Sequence, residues 1–354
     1  MDISFWLTTP VDLSNGLDRP MGGAEVSAVQ LAQALVQTGW PITIHCNTDK
    51  QYSPIDGLMV KSYTAIRDDE LDTLIVVRAH EILNTRIRAW FRERPRILLN
   101  WSGDAFDQPN NHIFWDKWIC EHLDGFVVKS KWQRDTLNEM YPGLQGKTTV
   151  IKNGVDPSLF PDDVEKDENK FIWASTWYRG LENMIKIWPR IKAELPDAYL
   201  DVYAKTSLYL DNNPSDIQAK PIFDALEKLD GINIHEPVQQ ERLLSELASA
   251  KLLLYPNSNF VESSCGVAQQ SICAGTPVIT SHRAGLPETV GSEGICIQEE
   301  PGTDAYNEHF VTRTLDLCRN QKLYDRLSRQ GLSRRTEESW AKTALSWTRY
   351  LKSL

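Results

Sequence analysis

Two α/β domains, each built on a doubly wound parallel sheet, are the fold class this sequence predicts. Three observations predict it. Short apolar runs of strand length alternate with helical stretches through both halves of the chain. A glycine pair, Gly22-Gly23, follows the first run and opens a helix, as in the βα unit of a nucleotide-binding sheet. The 354 residues are enough for two domains of ordinary size.

Composition narrows the class. Hydrophobic residues make up 41% and charged residues 24%, as in a soluble globular protein. No apolar run approaches the ~20 residues of a membrane helix, and Met1-Asp2-Ile3-Ser4-Phe5 lacks the basic start of a secretory signal. Six cysteines, at 46, 120, 265, 273, 296 and 318, show no CxxC spacing and sit mostly among apolar neighbours. They are expected to be reduced core residues of a cytoplasmic protein. The net charge of −10 argues against bulk nucleic-acid binding.

In chain order, Ile3, Phe5 and Leu7 alternate in a first strand over 2–7. After a loop with Asn15-Gly16 and Arg19-Pro20, Gly22-Gly23-Ala24-Glu25 opens a helix with Val26, Val29, Leu31, Leu35 and Val36 on its apolar face. The glycines suit close approach of a ligand, and a plain tight turn accounts for them equally well. Strands are expected at 42–46, 58–63 and 74–77. The last ends in Arg78-Ala79-His80-Glu81, which puts His80 at a strand's carboxyl end, where ligands bind in open α/β sheets. Five arginines then interleave with Trp90 and Phe91 between Arg86 and Arg96. A solvated helix face with two aromatics turned inward is the stronger reading, and contact with an anionic membrane surface the alternative. Strands at 97–100, 125–128 and 148–152 complete the half, with Trp101-Ser102-Gly103-Asp104 at a strand end and a helix over 130–140 begun by Ser130.

Asn153-Gly154-Val155-Asp156 turns the chain, and residues 161–169 are polar and acidic, as a linker would be. Strands are expected at 171–174, 200–203, 232–235, 252–255, 277–279 and 295–297, with helices at 184–191, 221–229, 239–248 and 303–320. Residues 337–354 place Trp340, Ala344, Trp347, Tyr350 and Leu351 at helical spacing.

The stretch 260–279 carries the most chemistry. Ser263 and Ser264 are suited to cap a helix over 265–274, which Gly275-Thr276-Pro277 stops. Glu262 thus lies at the mouth of a helix whose first turn is small. The free N–H groups and the positive end of the helix dipole make an anion site there. Gln270 lies one turn beyond Gly266 and leans back toward it. A carboxylate and an amide flanking a phosphate suit a nucleotide sugar; an ordinary capped, buried helix suits the local pattern as well.

Taken together these segments resemble the retaining glycosyltransferases of family 4, which have the GT-B fold. Glu262 falls on the first Glu of the E-x7-E region and Gln270 on the second, so the match is incomplete there; Ala274-Gly275-Thr276-Pro277-Val278-Ile279 is the usual continuation. Gly22-Gly23-Ala24-Glu25, the strand-end His80 with Glu81, the crossing at 150–156, Arg179 before Gly180-Leu181, and the turn from Gly285 to Glu288 also resemble the family. The resemblance implies two Rossmann-like domains facing a central cleft. Residues 1–155 would be the acceptor side and 156–336 the nucleotide-sugar side, with 337–354 a terminal helix crossing back.

It further implies transfer of a sugar from a UDP- or GDP-sugar to an acceptor hydroxyl with retention of configuration, in glycan or glycoconjugate biosynthesis, with no cofactor or metal required. Carried over by residue, His80 would position the sugar, Glu262 would hold its hydroxyls and Arg179 would bind the pyrophosphate, a fork suited to phosphate oxygens. Gly22, Gly23, Ser263, Ser264, Cys265, Gly266 and Val267 would line the donor, with Gln270 at the ribose. Trp101 and Asp104 would face the acceptor, a glycan or lipid-linked molecule. The departing phosphate would take the acceptor proton, so no side-chain base is named. A GT-B epimerase and a non-catalytic nucleotide-sugar binder share the pattern. A nicotinamide dehydrogenase does not, because no GxGxxG follows any strand.

Overall fold

A computed structural model describes residues 2–13, 21–78, 83, 93–204 and 214–354. The chain forms two units, Met1–Gly154 with Glu338–Leu354, and Val155–Glu337. In chain order the elements of the first are β1 (Ile3–Trp6), α1 (Gly23–Gln37), β2 (Ile42–Cys46), β3 (Tyr52–Ile55), β4 (Leu58–Ser62), β5 (Thr73–Val77), β6 (Ile97–Trp101), α2 (Lys117–His122), β7 (Gly125–Val128), α3 (Lys131–Met140) and β8 (Thr148–Val150). The second contains β9 (Asp167–Ala174), α4 (Met184–Glu194), β10 (Tyr199–Tyr203), α5 (Pro214–Leu226), β11 (Ile232–His235), α6 (Gln240–Ser249), β12 (Ala250–Tyr255), α7 (Gly266–Cys273), β13 (Val278–Ser281), α8 (Leu286–Val290), β14 (Gly294–Ile297), α9 (Asp304–Arg319) and α10 (Gln321–Glu337). Helix α11 (Trp340–Ser353) returns to the first unit.

The first sheet runs β3-β4-β2-β1-β5-β6-β7-β8, parallel except for the antiparallel β3–β4 pair. Its strands β1, β5, β6 and β7 are buried on both faces, which is why they read as continuous apolar runs. Phe5, Ile75, Leu99 and Trp101 face α1 and α11, while Trp6, Leu74, Val76, Leu98 and Phe126 face the layer that contains Ile119 and Leu137. Helix α11 closes the first of these layers. Trp347 is fully buried and meets Trp101 edge-on at 5.5 Å, and Trp340 Nε1 donates to Gln30 Oε1 at 2.7 Å.

The second sheet is wholly parallel, in the order β11-β10-β9-β12-β13-β14. The chain builds outward from β9 to β11, returns to the other side of β9 as β12, and builds outward again. The order therefore reverses between β9 and β12, and the loops leaving their carboxyl ends diverge onto opposite faces. That switch point is where open α/β sheets bind ligands. Phe171, Trp173, Trp188 and Leu252 to Leu254 are fully buried around it and give the two loops a rigid base.

Several boundaries differ from those the sequence predicts. Edge strand β3 was not predicted: it contains Pro54 and alternates half-buried with exposed residues, so it lacks an apolar run. Helix α10 was not predicted either, since Tyr324, Leu327 and Gly331 are its buried residues and the rest is strongly polar. Helix α5 starts before Pro221, which lies inside it, whereas proline suggests a first helical position. Residues 167–169 open β9 rather than belonging to a linker.

Candidate donor site at the switch of the second sheet

The loops after β9 and β12 leave side by side, because Leu253 of β12 pairs with Ile172 of β9. They are tied together. Asn183 Nδ2 donates to Pro256 O at 2.9 Å and to Ser258 Oγ at 3.1 Å, and Ser258 Oγ donates to Glu182 Oε1 at 2.9 Å. Arg283, on the loop after β13, donates to Ser258 O. Gly180 makes the approach possible. Its φ is +110°, and a Cβ there would lie 2.2 Å from Pro256 O. On the far side a Cβ at Gly285 would lie 2.1 Å from Ser263 O, and Gly285 N–H donates to Glu262 O at 2.8 Å.

This frame brings Arg179 and Glu262 into contact, 83 residues apart in sequence. Arg179 Nη1 donates to Glu262 Oε1 at 2.7 Å, and Tyr255 Oη donates to the same oxygen at 2.7 Å. The Glu262 side chain is 3% exposed and that of Arg179 27%. The guanidinium also lies 4.1 Å from the centre of the Phe260 ring, a cation–π contact. Burial is the largest single influence and works against the charge on Arg179, but the Glu262 carboxylate, together with Tyr255, Tyr178 and Cys265, outweighs it and raises the guanidinium above its already high ordinary value. Burial first, then the Glu262 charge, raise the Tyr255 phenol far above its ordinary range, so it remains a hydrogen-bond donor. The same two causes push the Cys265 thiol up to about 12, so it is no nucleophile at neutral pH.

Helix α7 begins beside this cluster. Its N-cap is Cys265, whose side chain makes no cap hydrogen bond, rather than Ser263 or Ser264 as the sequence predicts. Ser263 and Cys265 are buried and Ser264 and Val267 half-buried, while Gly266 is exposed and a Cβ there would meet nothing within 4 Å. A ligand can therefore approach the first-turn N–H groups of α7. Gln270 is half-buried, four residues after Gly266, and its side chain makes no hydrogen bond among the described residues. Fixed cation, uncapped helix start and buried carboxylate together can hold an anion on one side and hydroxyl groups on the other.

In the first unit, Gly22 caps α1 and Gly23 is its first residue, exposed and with no atom within 4 Å of an added Cβ. Asp104 is buried at the end of β6 and pairs with Arg78 Nε at 2.8 Å. Arg78 has a φ of +53°, a conformation that costs a non-glycine residue about 1–3 kcal/mol. Trp101 departs from expectation: it is 2% exposed, packed between Phe5 and Trp347, and belongs to the core rather than to an acceptor surface. Its indole points inward because alternate residues of β6 face opposite layers. His80 lies outside the described residues, as do Arg86, Arg88, Trp90 and Arg92. At the described end of that stretch Arg94 pairs with Asp124 at 3.1 Å and Arg96 with Asp72 at 2.7 Å, so these two arginines already hold carboxylates.

Sequence reasoning missed Tyr255, Glu182, Asn183 and Phe260 in this site. Tyr255 carried a signal: a phenol ends the aliphatic run Leu252-Leu253-Leu254 of β12, at the carboxyl end where ligands collect.

Residues 162–334 match the family model described as glycosyl transferases group 1. A glycogen synthase of Mycobacterium tuberculosis is 23% identical over 195 residues, 51% of this chain and 43% of that protein, so the match spans less than half of the curated relative. Among solved structures, sucrose-phosphate synthase from Thermosynechococcus elongatus superposes with a TM-score of 0.79 at 15% identity, over 99% of this chain and 98% of that one. Anabaena Alr3699/HepE in complex with UDP-glucose gives a TM-score of 0.74 at 13% identity, over the whole of both chains. The chain has the GT-B fold, and its residues 162–334, just under half of it, are similar to the glycosyl transferases group 1 family.

Proposed function

We propose that this protein is a retaining glycosyltransferase of family 4 type that moves a sugar from a UDP- or GDP-sugar to an acceptor hydroxyl. The observation that carries the reading is the convergence of Arg179, Glu262 and the uncapped start of α7 at the switch point of the second sheet. As the glycosidic bond breaks, negative charge grows on the leaving diphosphate. Arg179 and the N–H groups around Gly266 are positioned to stabilise it. Glu262 accepts hydrogen bonds from hydroxyls of the donor sugar, Gln270 faces the ribose, and Ser263 to Val267 line the phosphates. Gly22 and Gly23 leave room for the donor at the start of α1, and His80 contributes to sugar positioning. The phosphate itself takes the acceptor proton, so the reaction needs no side-chain base and no metal.

The acceptor is a glycan or a lipid-linked molecule. The protein acts in the cytoplasm, with peripheral contact at the membrane through 86–96 as a further part of the proposal; no helix among the described residues is long and apolar enough to cross a membrane. A thermal-shift screen of nucleotide sugars, followed by transfer assays with the donor that binds, tests the reading. Product of unchanged anomeric configuration, resolved by NMR, is expected. An inverted product refutes retention, and binding of no nucleotide sugar refutes the function.

A further inference from the structure

In the structure the two groups proposed to hold different parts of a nucleotide sugar hold each other. Arg179 commits Nη1 to Glu262, and its Nε is enclosed with no hydrogen-bond partner among the described residues. Glu262 cannot swing aside freely, because Tyr255 donates to the same oxygen from a fully buried position. Both protein donors use Oε1, and no donor reaches Oε2 among the described residues. An anion approaching Arg179 thus meets a guanidinium whose charge is offset by a fixed carboxylate at 2.7 Å.

We propose that Glu262 makes this site select for a nucleoside diphosphate that still carries its sugar and against one that has lost it. The inference rests on the transferase reading and deepens it. Sugar hydroxyls donate to the carboxylate, shield it, and leave Arg179 free to act on the diphosphate. A bare nucleoside diphosphate has no such donors at that position, so Glu262 both competes for Arg179 and repels the phosphates. The product of transfer is therefore held more weakly than the donor, and its release is promoted by the same residue that recognises the sugar.

Calorimetric titration with UDP, GDP, UDP-glucose and GDP-mannose tests this, on the full chain and on two variants. Glu262→Gln removes the charge and keeps the shape. It should bind the nucleoside diphosphate about three- to thirty-fold more tightly than the parent and lose the preference for the sugar-bearing form. Tyr255→Phe keeps the Glu262 charge and should not tighten diphosphate binding. If thermal denaturation shows that Glu262→Gln is not folded, Glu262→Met, of similar length and equally uncharged, carries the same expectation. Diphosphate affinity unchanged or weaker in the neutral variant, with nucleotide-sugar binding intact in the parent, overturns the selection and leaves the transferase reading standing. Equal tightening in Tyr255→Phe also overturns it, since packing and not charge would then be the cause. Failure of the parent to bind any of the four ligands overturns both.

Discussion

Replacing Gly180 by alanine should damage the second unit more than its size suggests. Two costs add. The residue has a φ of +110°, and holding an L-residue in left-handed backbone costs about 1–2 kcal/mol. The new Cβ would also lie 2.2 Å from Pro256 O and 2.9 Å from Asn257 Cα. Both are backbone atoms with no rotamer to change, so the two loops must separate, at about 1–3 kcal/mol. The sum is about 2–5 kcal/mol, or roughly 5–15 °C in the melting temperature of a domain of this size. Gly302 supplies the control. Its φ is +86°, but an added Cβ would come no nearer than 3.8 Å to another atom, so Gly302→Ala reports the backbone cost alone. Urea denaturation followed by tryptophan fluorescence reads both variants, because Trp173 and Trp188 lie in the core of this unit. Gly180→Ala should lose about 1–3 kcal/mol more than Gly302→Ala. Equal losses would refute the reasoning and show that the loops after β9 and β12 yield without cost.

Three other perturbations have definite expected outcomes. Gln270→Glu exchanges a neutral acceptor for a charged one at the proposed ribose contact and should bind the nucleoside diphosphate several-fold more tightly, by on the order of 1 kcal/mol; calorimetry showing no gain would place the ribose elsewhere. His45 is fully buried beside Asp69 and Lys61, and burial lowers its pKa from 6.5 to about 4. The unfolded chain then takes up the proton first, so this contribution is complete above about pH 6.5 and is lost as pH falls toward 4, a change of about 3 kcal/mol. Urea denaturation between those pH values should show that slope in the parent and a flatter one in His45→Gln. Trp347→Ala empties a fully buried site against Trp101 and should cost about 3–5 kcal/mol, seen as a lower urea midpoint for the first unit with that of the second unchanged.

What the sequence by itself determined is what short-range physics controls. Strands such as β5 and β12 are buried on both faces, so their apolar runs announce them without any knowledge of their neighbours. Ser130 begins α3 by accepting from Gln133 N–H at 3.0 Å, a contact contained within four residues. Glu262 and the small first turn of α7 could be singled out from the local pattern of a carboxylate at a helix mouth, and Arg179 from the family resemblance of its place before Gly180-Leu181. Elements whose stability comes from elsewhere were illegible: β3 exists because β4 offers it an edge, and α10 because a few buried side chains hold a polar helix. The helix cap falls on Cys265, one residue past the serines that local capping preference favours.

Only the tertiary structure decided which marked residues meet. Strand order puts β9 beside β12, and that adjacency, invisible to any local pattern, brings Arg179 against Glu262 and recruits Tyr255 as the second donor to one oxygen. It also withdrew Trp101 from the expected acceptor surface, since the face a strand residue presents depends on which helices cover it. A charge in a sequence says what a residue can bind. The distance to its partner, set by the sheet, decides what it binds first.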